Sequence, residues 1–168
     1  IATSYMGYVY VSSNYMKTLT LVKALVPRRY IAATVSPSGK YMAVATEFGY
    51  YDDFDTNSYA YYSTSFGVDW ATDNVLTKGY FIDITSYDAG SSQRSNAALP
   101  GSFATIARNS LQYNSKSFTV AMYRSPSLQS PLTTVISCQY SYLGASIAMY
   151  GAYVAVVISD GTFVVLKA

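Results

Sequence analysis

An all-β protein is predicted from three observations. Apolar and polar residues alternate at period two over most of the chain, strong strand formers (Val, Ile, Thr, Tyr, Phe) supply the pattern, and no window keeps a 3.6-residue apolar period across three turns. Taken in order, the alternation predicts strands at 7–13 (GYVYVSS) and 17–24 (KTLTLVKA), then at 30–36 (YIAATVS) and 40–46 (KYMAVAT). The last two flank Pro37-Ser38-Gly39, where Pro presets its own φ and Gly accepts a positive one, so a tight turn is expected there. Further strands follow at 58–65, 79–85, 103–108, 117–123 and 132–139. The chain closes with strands at 144–149, 152–158 and 162–167; Asp160-Gly161 between the last two is the clearest hairpin signal. Twelve short strands separated by turn residues suit antiparallel meanders in one domain spanning 1–168. A long acidic and aromatic insertion at 47–78 interrupts the pattern.

One stretch competes with this scheme. Residues 125–159 carry no charge, and Leu143 to Ile158 are almost wholly apolar. A spanning helix needs about 20 apolar residues. This run is shorter, holds Gly144 and Gly151, and ends in β-branched Val and Ile. Two buried strands are therefore expected rather than a membrane span.

The repeat pattern adds a resemblance. Around Tyr30 the order is strand, Ser36-Pro37-Ser38-Gly39-Lys40-Tyr41, strand, and then, after the insertion, Gly79-Tyr-Phe-Ile-Asp-Ile-Thr85. Near the C-terminus, 146–150, 152–158 and 162–166 form a three-strand meander, and 7–14 with 17–22 look like part of another. This resembles blades of a β-propeller of the WD40 or YVTN type, whose Ser-Pro-Asp-Gly-Lys-like turn is matched here with Ser38 in place of Asp. The resemblance implies propeller-like blades; generic alternation equally allows a β-sandwich or jelly roll.

Composition narrows the function. The chain has no His, one Cys and a single Glu among nine acidic residues, against eleven Lys and Arg, with 19 Tyr. Without His there is no imidazole base or metal ligand, and one Cys excludes intrachain disulfides and Cys-rich zinc sites. A net charge of +2, with no basic cluster beyond Arg28-Arg29, argues against nucleic acid. Gly-x-Ser-x-Gly, Ser-x-x-Lys and phosphate-loop motifs are absent. Cys138 is expected to behave as a small buried hydrophobe. No enzyme is expected; the remaining catalytic option is a carboxylate glycoside hydrolase using a pair such as Asp69 and Asp73.

The candidate site lies in the insertion, which holds six of the nine carboxylates and no Lys or Arg before Lys78. Tyr50, Tyr51, Tyr61, Tyr62 and Trp70 are the candidate ligand-binding residues, since flat aromatic faces suit both sugar rings and protein partners. Asp53, Asp55 and Asn57 place three oxygen ligands at alternate positions, as at the start of a calcium loop. Ser58 stands where such a loop needs Gly, and Thr64 where it needs Glu. No cofactor other than calcium is expected.

With 12% charged residues, solubility rests on hydroxyls and amides, and little repulsion keeps copies apart. The composition resembles that of secreted and virion proteins of thermophilic archaea and their viruses. The expected role is a non-enzymatic extracellular or virion-surface module, structural or recognitional, whose partners are copies of itself, a scaffold protein or a host surface. The alternative is a propeller domain that binds a glycan or a calcium-bridged ligand.

Overall fold

The computed structural model describes residues 1–3, 7–46, 58–73, 80–88, 102–108, 117–124, 132–137 and 144–167. They form fourteen strands and no helix. The first sheet is β1 (Ala2–Thr3), β2 (Val9–Val11) and β3 (Thr20–Leu21). The second is β4 (Tyr30–Val35), β5 (Met42–Thr46), β6 (Ala60–Ser63) and β7 (Ala71–Asp73). The third is β8 (Tyr80–Tyr87), β9 (Ser102–Arg108), β10 (Ser117–Arg124) and β11 (Leu132–Ser137). The fourth is β12 (Ala145–Tyr150), β13 (Tyr153–Ile158) and β14 (Phe163–Lys167). Each sheet is an up-and-down antiparallel meander of strands consecutive in the chain, and none contains a Greek-key crossover.

Alternation explains how the sheets stack, because successive side chains on a strand point to opposite faces. In the second sheet, Ala43, Ala45, Ala60 and Tyr62 face the third sheet, where they meet Ile84, Phe103, Ala107, Ala121 and Tyr123. Small Ala side chains let the sheets approach, and the ring of Phe103 fills the space between Tyr41 and Tyr62, at 6.1 and 6.0 Å. The other face of the second sheet, with Val44 and Tyr61, packs on Val9, Val22 and Leu25 of the first sheet and its flanks. The far face of the third sheet (Ile106, Phe118, Val120, Met122) packs on Ile147, Val154, Val156 and Ile158 of the fourth. Both middle sheets are thus covered on both faces, which is why every residue of β5 is buried.

The first strands of successive sheets lie side by side, β4 against β8 and β8 against β12. They are joined by side chains rather than by a ladder. Thr34 and Ser86 hydroxyls meet at 2.9 Å. A bulge between Phe81 and Asp83 precedes an Asp83 carboxylate that accepts from Ser146 Oγ at 2.8 Å and from the Ile147 amide at 3.1 Å.

The apolar run near the C-terminus is two strands, β12 and β13, joined by a turn at Gly151 (φ 58°). No helix among the described residues is long and apolar enough to cross a membrane. The Asp160-Gly161 hairpin forms as expected, with Gly161 at φ 91° and its amide donating to the Ile158 carbonyl. The strand expected at 17–24 shrinks to Thr20–Leu21, because Asn14 draws the residues before it into a loop. Residues 58–73 of the insertion contribute β6 and β7 and complete the second sheet.

Candidate functional site

Two loops at one end of the first two sheets share the same construction. After β2, the hydroxyl of Ser12 accepts the amides of Asn14 (3.3 Å) and Met16 (2.9 Å), and Asn14 Oδ1 accepts the amide of Thr18 (2.9 Å). After β6, the hydroxyl of Ser63 accepts the amides of Ser65 (3.3 Å) and Gly67 (2.9 Å), and Ser65 Oγ accepts the amide of Asp69 (2.8 Å). The backbone bonds correspond as well: Lys17 donates to the Asn14 carbonyl and Val68 to the Ser65 carbonyl. These short polar side chains satisfy turn amides that no strand partner reaches, which holds each loop in one conformation.

That conformation is a left-handed pair. Tyr15 and Met16 sit at φ 57° and 67°, and Phe66 and Gly67 at φ 57° and 81°. Left-handed backbone costs an ordinary L-residue roughly 1–2 kcal/mol. Tyr15, Met16 and Phe66 are the three non-glycine residues with positive φ among those described, and all three belong to these loops. Their side chains face solvent, Tyr15 99% and Phe66 60% exposed. Gly67 has a second constraint: a Cβ there would meet Met42 Sδ and Val11 Cγ1 at 3.2 Å.

Between the loops runs an open groove of about 1060 Å³. Val11, Val35 and Met42 lie along it, Tyr15, Met16, Phe66 and Val68 form its rim, and the β4–β5 turn adds Ser36, Pro37 and Ser38. Lys23 is the one charged residue lining it among those described. The turn is rigidly held. The Lys40 carbonyl accepts the Phe66 amide at 3.1 Å, and the buried Asp88 carboxylate accepts from Ser36 Oγ at 2.6 Å and from Ser38 Oγ. Trp70 braces the second loop, its indole N–H donating to the Gly67 carbonyl at 2.9 Å. The described lining of the groove is apolar and hydroxyl surface with little charge.

Of the residues singled out from the sequence, Tyr61 and Tyr62 are adjacent on β6 and point to opposite faces. Tyr62 packs on Phe103, while Tyr61 stacks with Tyr59 at 5.8 Å on the side of the first sheet. Trp70 packs partly buried against the core of the first two sheets. The structure therefore does not gather these three on one exposed surface. Tyr50, Tyr51, Asp53, Asp55, Asn57 and Cys138 lie outside the described residues. Among the described residues, no cluster of His, Cys, Asp and Glu is arranged to hold a metal ion.

Tyr15, Met16 and Phe66 are not apparent from composition, yet a signal for them exists. Tyr8-Val-Tyr10-Val-Ser12-Ser-Asn14-Tyr15 aligns without gaps on Tyr59-Ala-Tyr61-Tyr-Ser63-Thr-Ser65-Phe66, 51 positions later. No protein-family profile matches the chain, and no curated protein matches it in sequence.

Proposed function

We propose that the chain is a non-enzymatic recognition module of stacked, propeller-like meanders that binds protein through the groove between the Tyr15 and Phe66 loops, at an extracellular or virion surface. One observation carries this proposal: two equivalent loops hold bulky residues in left-handed backbone and expose aromatic tips on either side of a weakly charged groove. Strained residues cluster where the surrounding structure over-determines them for a purpose, and exposed aromatics are the preferred anchors of protein interfaces. An extended segment bearing apolar side chains fits the groove; a strongly anionic or cationic one gains little from it. The extracellular or virion setting rests on composition, with hydroxyl-rich, charge-poor surface suited to assembly with other proteins.

Selection of a displayed random-peptide library on the intact chain tests this. Enrichment of sequences with spaced apolar or aromatic residues, lost on Tyr15→Ser together with Phe66→Ser, is expected. Enrichment that survives both substitutions would overturn the assignment of the groove. A second reading is favoured by the Tyr15 ring, whose near-complete exposure also suits stacking on a sugar. A glycan array with and without calcium decides between them: hits abolished by Tyr15→Ser would make the ligand a glycan.

A further inference from the structure

The stack of four sheets ends on two unlike faces. On the fourth sheet, register puts Ala148, Ala155 and Val165 in one row, Ser146, Val157 and Phe163 in the next, and Tyr150, Tyr153 and Lys167 in a third, alternating with the residues packed on the third sheet; at the β12 edge, Ser146 and Tyr150 also reach back to Asp83 and Tyr87 of β8. Phe163, Val165 and Val157 are 64%, 54% and 52% exposed. On the first sheet, Val9 and Val22 point into the core, so Tyr10 and its register partner Leu21 point away from it, with Tyr8 exposed beside them. Contiguous apolar patches beyond a few hundred Å² are rare on monomers and mark interfaces.

We infer that these two faces bind each other between two copies of the chain, the fourth sheet of one on the first sheet of the other, closing a ring of eight sheets. The internal packing supplies the argument. Three times within the chain, the trailing face of one sheet receives the leading face of the next through apolar side chains. Among the described residues no sheet packs on these two faces, the trailing and leading faces of that series, so a head-to-tail contact continues an interface the chain already makes. A radial stack of sheets closes with about four to eight members, and two copies of four fall within that range. Closure forms both contacts at once and doubles the area holding the pair. Charge does not oppose it. Lys167 is the one charged side chain on the fourth sheet's free face, at its rim, with its amine 5.9 Å from the centre of the Tyr153 ring. The groove reaches this face at Leu21, but Tyr8, Tyr10 and the fourth-sheet residues lie outside its lining, so substitutions there test the inference apart from the groove.

Sedimentation velocity on the intact chain tests it, with circular dichroism confirming that each variant is folded. The wild type should be a dimer at about 10–100 µM, and Phe163→Asp and Tyr10→Asp should each weaken association by more than about tenfold. Val165→Lys and Tyr8→Asp serve as second variants should either of the first misfold. The decisive sample is the mixture. Phe163→Asp keeps a sound first sheet and Tyr10→Asp a sound fourth, so together they form a one-to-one pair that neither forms alone. A monomeric wild type, a dimer broken by Phe163→Asp but untouched by the first-sheet variants, or growth beyond two copies would each overturn the proposal.

Discussion

Tyr15 and Phe66 share a backbone φ of 57° at equivalent places in two loops, one following β2 and the other β6. Each sits one residue past a polar side chain (Asn14, Ser65) that accepts the amide four residues further on. Equivalent hydrogen bonds thus produce equivalent strain. The loops differ in the next residue, Met16 in one and Gly67 in the other, and in burial, since the second loop is wedged between the first two sheets.

That difference predicts opposite effects of substitution. Gly67→Ala places a methyl 3.2 Å from Met42 Sδ and Val11 Cγ1 at φ 81°, and should destabilise by about 2 kcal/mol or more. Met16→Gly relieves left-handed strain at an exposed position and should stabilise by about 0.5–1 kcal/mol, while removing a rim side chain of the groove. Urea midpoints at constant m-value check both.

Removing the loop acceptors should be graded by burial. Ser63 is almost wholly buried, so Ser63→Ala strands the amides of Ser65 and Gly67 and should cost about 1–2 kcal/mol. Ser12→Ala leaves the amides of a more exposed loop to water and should cost less than about 1 kcal/mol. Thermal melts of the two variants, compared with wild type, test the order.

Asp88 ties the β4–β5 turn to the end of β8. Asp88→Ala removes the acceptor of Ser36 and Ser38 and should cost about 1–3 kcal/mol, because the Ser36 hydroxyl is left buried. Amide exchange should rise most at Gly39 and Tyr41, whose bonds to Ser36 define the turn.

Alkaline stability should report Tyr30. Its hydroxyl donates to the Val26 carbonyl at 2.7 Å, and burial, with Tyr61 adding to it and Arg28 opposing, pushes its pKa up from 10.0 to about 12. The unfolded chain therefore loses this proton first. The stabilisation is complete below pH 10 and is lost as pH rises from 10 to about 12. Across that window the wild type should lose on the order of 2 kcal/mol more than Tyr30→Phe, measured by urea titration at fixed pH values.

The class and most strands were legible in the sequence because period-two alternation is a local property that packing then rewards. The Ser36–Tyr41 turn and the Asp160-Gly161 hairpin were legible for the same reason: Pro and Gly act on their own φ. Short edges were not. β1 and β7 have two and three residues and exist because neighbouring strands offer a ladder. Tyr61, Tyr62 and Trp70 stand out in the sequence as aromatics near carboxylates, but β6 and the loop after it pack Tyr61 and Trp70 on the core between the first two sheets and Tyr62 on the opposite face against Phe103. The Tyr15 and Phe66 loops were encoded in a repeat of similar rather than identical residues (Asn14 for Ser65, Met16 for Gly67), and their meaning depends on side-chain hydrogen bonds that alternation does not display.

The groove between these loops is tested most directly by amide chemical-shift mapping of the isotope-labelled chain, titrated with a peptide enriched from the displayed library. The proposal predicts saturable shifts concentrated at 12–18, 36–40 and 63–69, and their loss in the Tyr15→Ser, Phe66→Ser variant. Shifts confined to β12–β14, or unchanged in that variant, would contradict it.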